Sequence, residues 1–239
     1  GMISHLKAER VTGEIEKLLT KGIVPSAGFA FGKRIGAMEA TLPELADEAV
    51  WNAVLSSIDA AAAIVRDKER GLSETQKLQA MVAAMVLPLD VLSAEPLFRR
   101  LTFSKTDVVG VATTVLANRS EPSRLQGAKL SGELTERAYQ NEVRKAVRAV
   151  GKANWRVLLA VAEIEHPGTT ELFERTVVEH TIDTLGMKRL LEGKDLMEIF
   201  GMRPGRQIGE TIALVEAARD ADTILTKDDA IAFVRDLMK

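Results

Sequence analysis

The chain has 239 residues, 46% of them hydrophobic, enough for one large or two modest domains with a real core. Its formal net charge of −2 says little about partners, which leaves the question to local patches of charge. Cysteine is absent, which excludes disulfides and thiolate metal sites together.

No run of eighteen or more uncharged apolar residues and no signal-peptide pattern is present, so nothing argues for a membrane partner or for export. Gly1 before Met2 reads as a remnant of expression and is kept out of the fold argument. With aromatic residues at only 4% and Ala and Leu abundant, close-packed helices are favoured over sheets. Val11, Ile15, Leu18 and Leu19 fall on one helical face. Ser73-Glu74-Thr75-Gln76 is a capping box opening an apolar stretch from Leu78 to Val86 that stops before Pro88. Ser104 and Asp107 repeat the device ahead of Val108, Val111, Val115 and Leu116. The stretch Asn118 to Gly132, rich in Ser, Gly, Pro and Arg, reads as a long loop or hinge.

A helix from about Thr135 to Val150 places Ala138, Val143, Ala146, Val147 and Val150 inward, and another runs from Ala153 to Glu163. A third, Thr170 to Leu185, ends on Gly186 as its cap. The last two are expected at about Gly205 to Ala221 and Thr226 to Met238. No strand-type alternation and no fixed-period repeat appears. The expected fold is all-α: an elongated helical bundle or curved helical array with a small C-terminal helical tail, divided at about 2–120, 121–186 and 187–239.

Between Ser123 and Arg156, eight cations face three carboxylates, a local balance of +5. Arg137, Arg144 and Arg148 stand at spacings of seven and four, near one helix face. Such a stripe can follow a phosphate backbone, and it also reads as a solvated face with local pairs such as Glu133 with Arg137. His5, His166 and His180 are too dispersed for a metal set. Asp228 and Asp229 read as acidic first-turn residues behind a Thr226 cap. Trp51, Trp155 and Tyr139 can stack on bases, although the apolar neighbours of both tryptophans fit core packing. No nucleophile, base and oxyanion donor can be named together.

The run Gly193 to Gly209, GKDLMEIFGMRPGRQIG, offers a way to hold phosphate. Gly201 can end one helix and Pro204-Gly205 can start the next, whose free amides, flanked by Arg203 and Arg206, would face an anion. The same run also reads as a tight helix-turn-helix corner. It resembles the C-terminal tail of class II CCA-adding tRNA nucleotidyltransferases and their poly(A) polymerase relatives. Two further phrases resemble the same family in the same order: Glu9-Arg10-Val11-Thr12-Gly13-Glu14-Ile15-Glu16-Lys17-Leu18-Leu19, and Ile35 to Leu45 with its Pro43-Glu44-Leu45. Lys7 stands where the family usually has serine, and from about residue 46 to 185 the likeness is faint.

The family's catalytic head, with its glycine-bearing turn, its Asp-x-Asp metal pair and its nucleotide-selecting motif, is not in this sequence. The resemblance therefore implies the tRNA-binding portion of a cytoplasmic nucleotidyltransferase, inactive by itself and holding no catalytic or metal-binding residue. Magnesium and CTP or ATP would belong to a separate or fused head. It implies tRNA contacts at Lys17, Arg137, Arg144, Lys145, Arg148 and Lys152 in the body. In the tail it implies contacts at Lys194, Arg203, Gly205 and Arg206. The alternative is a helical protein-interaction module derived from that family, docking a partner through Glu39, Glu44, Asp47, Glu48 and the alanine-rich face of Asp59 to Val65.

Overall fold

A computed structural model of the chain describes residues 7–89, 91–180, 182, 189–220, 223–224 and 226–238, with backbone only at 91–93, 106 and 220. The chain is 76% helical and no strand occurs among the described residues, so the all-α expectation holds. The helices are α1 (Ala8–Lys21), α2 (Pro25–Arg34), α3 (Ala37–Thr41), α4 (Glu48–Arg66) and α5 (Glu74–Val86). Next come α6 (Val91–Arg100), α7 (Gly110–Asn118), α8 (Glu121–Leu130), α9 (Glu136–Val150) and α10 (Trp155–Glu165). The last are α11 (Glu171–Glu179), α12 (Gly193–Phe200), α13 (Arg206–Asp220) and α14 (Lys227–Leu237). They form two compact units: Gly1–Ser123 with Ala149–Glu171, and Arg124–Arg148 with Leu172–Lys239.

The first unit is built around α5. Its capping box is present as expected: the Ser73 hydroxyl accepts the Gln76 N–H and the Gln76 side chain accepts the Ser73 N–H. From Gln79 to Val86 every side chain is buried, because a helix apolar on all sides must be surrounded. Helices α4, α10, α7 and α1 surround it. Ala80, Ala83 and Ala84 let those neighbours approach, and α10 is packed in the same way by Trp155 and Val157 to Ala162.

Helix α4 starts where Asp47 accepts the N–H groups of Ala49 and Val50. It is the one described helix long and apolar enough to cross a bilayer. Its buried residues Trp51, Val54, Ile58, Ala61, Ala62 and Val65 recur at three and four positions and pack on α2, α5 and α10, as a core helix does. Trp51 and Trp155 are thus core residues, and Tyr139 is fully buried as well. Of the docking face expected at the chain start, Glu39, Asp47 and Glu48 are exposed, and part of the rest has partners within the unit. Ala61, Ala62 and Val65 are in the core, Asp59 accepts hydrogen bonds from Ser26, Glu48 pairs with Lys33, and Glu44 pairs with Arg100.

The Glu44–Arg100 pair fixes the end of α6. Arg100 reaches the two carboxylate oxygens of Glu44 at 2.7 and 2.5 Å and the Thr41 carbonyl at 3.2 Å. That bidentate geometry is the strong form of the ion pair. The guanidinium holds the Glu44 carboxyl below its ordinary pKa, outweighing burial. Arg66 has a related role: it donates to the carbonyls of Gly22 and Ile23 where α1 ends. Gly28 lets α2 lie against α1, since a Cβ there would run into the Leu18 side chain.

Several helix expectations need correction. The stretch expected to be a loop at Asn118 to Gly132 contains the ten-residue α8. Glu121 and Pro122 suit a helix start, Leu125 is fully buried, and one internal Gly127 is a cost of only about 1 kcal/mol. The actual breaker is Gly132, in the left-handed region at φ 82°. The Ser104–Asp107 device opens a π-helical turn, Lys105–Val109, ahead of α7. Helix α10 spans Trp155–Glu165, later at both ends than expected, because Gly151 turns the chain at φ 82° and Asn154 precedes the first turn. Helix α11 stops at Glu179, short of Leu185, and the expected Gly186 cap lies outside the described residues.

Candidate nucleic-acid interface

In the second unit the tail motif folds as α12, a turn and α13. At the head of α12, Glu192 and Asp195 form a reciprocal capping box. At its end Gly201 takes the left-handed conformation, φ 66°, which lets its N–H and that of Met202 reach back to the Met197 and Leu196 carbonyls. Met202 then turns inward onto a small core of Leu191, Leu196, Val215, Ile224, Ala230 and Val234. The chain emerges again at once: Arg203, Pro204, Gly205 and Arg206 are all exposed. Helix α13 starts there, with the Ile208 N–H bonded to the Gly205 carbonyl. The remaining first-turn amides have no acceptor within the helix.

Charges are distributed unevenly over this corner. Arg206 is 92% exposed and pairs with Glu210 at 2.6 Å, an i,i+4 contact on the surface. Arg203 has no ion pair among the described residues. Lys194 faces Glu198 at 3.6 Å. Lys227 bonds Asp195 at 2.6 Å and ties α14 to α12; that bond lowers the Asp195 pKa and raises that of Lys227. Thr226 caps α14 as expected, and the Asp229 side chain completes a reciprocal box by accepting the Thr226 N–H. The side chains of Asp220 and Asp222 lie outside the described residues. No group of three or more His, Asp or Glu placed to hold a metal ion occurs among the described residues.

On α9, Val143, Ala146, Val147 and Val150 are buried as expected, whereas Ala138 is only half-buried and Tyr139, not expected on that face, is fully buried. Burial pushes the Tyr139 phenol up to about 12. Arg137 and Lys145 are exposed, and Lys145 pairs with Glu142 at 2.7 Å. Arg144 is half-buried and donates to the Asn141 side chain at 2.6 Å. Arg148 turns away from solvent to α13, meeting the Glu216 carboxylate at 3.1 Å and its carbonyl at 3.3 Å. Its role in the structure is to tie α9 to α13. The three arginines of the stripe thus share a helix face but have three different environments.

In the first unit, Lys17 pairs with Glu14 at 2.8 Å, and Lys152 is exposed with no ion pair among the described residues. Lys194, Arg203, Gly205 and Arg206 thus belong to the α12–α13 segment of the second unit, and Lys17 and Lys152 lie in the other unit. Sequence reasoning missed Glu216 and Asp195 as partners of the basic residues. No local spacing links groups 68 and 32 residues apart. Comparison with protein-family models, with curated proteins and with solved structures finds no match to this chain.

Proposed function

We propose that this chain is the tRNA-gripping portion of a CCA-adding nucleotidyltransferase, with the chemistry of nucleotide addition carried by a head outside the sequence. The single observation that carries the reading is the α12–α13 corner. There a left-handed glycine ends α12, and Arg203, Gly205 and Arg206 are exposed in the few residues that lead into α13. Such a corner matches what a phosphate needs: backbone N–H groups, the positive end of a helix and guanidinium donors. An RNA duplex has a deep major groove that side chains cannot read, so phosphates and 2′-hydroxyls are the groups such a corner would contact. The resemblance of the tail, the first helix and the Ile35 to Leu45 phrase supports tRNA as that duplex.

The test is tRNA binding by fluorescence anisotropy across about 50 to 200 mM salt, for the parent chain and an Arg203→Ala, Arg206→Ala double variant. Because the Arg206–Glu210 pair is on the surface, its loss leaves stability nearly unchanged. Losing two phosphate contacts reduces the log–log salt slope by about 1.4 to 1.8. An affinity independent of salt, or a slope unaltered in the variant, refutes the reading.

A second reading, a protein-interaction module, draws on a different observation. Ile23 is 81% exposed, and Val24, Phe31 and Ile35 are further exposed apolar groups on or next to α2. Under that reading a Phe31→Glu change abolishes partner capture and tRNA binding is absent in the parent chain.

A further inference from the structure

The first unit contains a cavity of about 830 Å³ between the end of α5, α6, the π-turn and α7. Its walls are apolar, formed by Leu87 and Leu89 after α5, Phe98 on α6, and Val109 and Leu116 at the π-turn and on α7. That size and lining are those of a small-molecule site. Among the described residues, four charged side chains line it. Three are cations, Arg99, Lys105 and Arg119, and one is a carboxylate, Glu95. Glu95 is taken up by Arg99 at 2.6 Å, and Glu165 approaches the Arg119 Nε at 2.8 Å. The Arg119 Nε is buried, yet that approach is not aligned as a hydrogen bond. Lys105 is exposed, and no ion pair neutralises it among the described residues.

Lys105 is also held in place from beneath. It opens the π-turn, where the Val108 and Val109 N–H groups both converge on the Ser104 carbonyl at 3.0 Å and the Gly110 N–H reaches the Lys105 carbonyl. The buried Gln79 of α5 donates its amide to the Asp107 carbonyl within the same turn. Turns of this kind concentrate at functional sites, and the first residue of this one, Lys105, is both exposed and part of the cavity lining.

We propose that this cavity binds an amphiphile with an apolar acyl or aryl body and a single carboxylate. The body lies against Leu87, Phe98 and Leu116, and the carboxylate pairs with Lys105, with the Arg119 guanidinium next in reach. Charge complementarity selects this occupant: among the described lining residues Arg99 and Arg119 each have a carboxylate partner, while Lys105 is exposed and has no ion pair. A neutral body would satisfy the walls but leave Lys105 unanswered.

The experiment is a fluorescence titration of the full chain with 11-(dansylamino)undecanoate, kept below its micellar concentration, alongside its methyl ester. Saturable one-to-one binding is expected, with the ester at least tenfold weaker. Lys105→Glu should weaken the acid at least tenfold and leave the ester unchanged. Leu116→Trp, which fills the cavity, should abolish both, and Thr113→Trp on the same lining gives the same reading if the first variant fails to fold. Thermal melts check that each variant is folded. The proposal is overturned by the absence of saturable binding, by equal affinity for acid and ester, or by a folded tryptophan variant that binds like the parent.

Discussion

Replacing Arg100 with alanine removes both arms of the Glu44 pair and the donor to the Thr41 carbonyl. The Glu44 side chain is only 10% exposed, so it would be left as a charge with little water. Cutting one partner from a fully buried pair costs about 3 to 5 kcal/mol, whereas an exposed pair is worth about 0 to 1. Arg100 is 36% exposed, which places this pair between the two cases at about 2 to 3 kcal/mol. For a protein of this size that corresponds to a fall in Tm of about 5 to 10 °C.

The pH dependence gives the sharper test. The folded-state pKa of Glu44 is lowered, chiefly by the hydrogen bond from Arg100. The stability it contributes is therefore present above the unfolded carboxyl pKa, about 4.3, and is lost as pH falls through the lower folded value. Urea unfolding of the parent and of Arg100→Ala should differ most at pH 7, and the gap should narrow below about pH 4.5. A gap that stays constant down to the acid limb, or is under about 0.5 kcal/mol at neutrality, refutes the reasoning. Because the pair anchors α6, which forms one wall of the cavity, the variant should also weaken the dansyl ligand.

Three other expectations are independent of it. Tyr139 is the sole tyrosine, so absorbance at 295 nm should show no phenolate in the folded chain until pH nears 12, against about 10 in denaturant; stability should fall across that interval, because only the unfolded phenol ionises there. Gly127→Ala lies inside α8 with nothing within 4 Å of the added methyl, so it should stabilise the protein by about 0.5 to 1 kcal/mol in urea titrations; a loss would mean the segment is not helical. Gly201→Ala also meets nothing within 4 Å, so its cost is the backbone's alone, about 1 to 2 kcal/mol, read as faster amide exchange in α12 to α14.

What the sequence revealed follows the range of the interaction. Ser73 with Gln76, the Thr226 cap and the Gly201 terminus were legible because cap chemistry acts within three or four residues. Most of the inward face of α9 was legible from its period, although Tyr139 took the place expected of Ala138. Helices α6 and α8 were hidden because Pro96 and Gly127 lie inside them, and burial of Leu97 and Leu125 outweighs the local penalty. The candidate site was legible as a list of cations but not as a surface. Whether an arginine meets solvent or a distant carboxylate, as Arg148 meets Glu216, is settled only when α9 and α13 are brought together.

Each unit is assembled from two separate stretches of chain, and the polypeptide passes between them after Ser123, Arg148 and Glu171. During synthesis the core around α5 therefore stays open until the ribosome has delivered α10, long after α1 to α7 have emerged. The tail motif, by contrast, can close its small apolar cluster from one continuous piece, residues 191 to 234. A fragment ending anywhere between 124 and 154 would lose α10, a central helix of the first unit, rather than a terminal accessory. Dissection at the gene level should keep residues 1–171 intact.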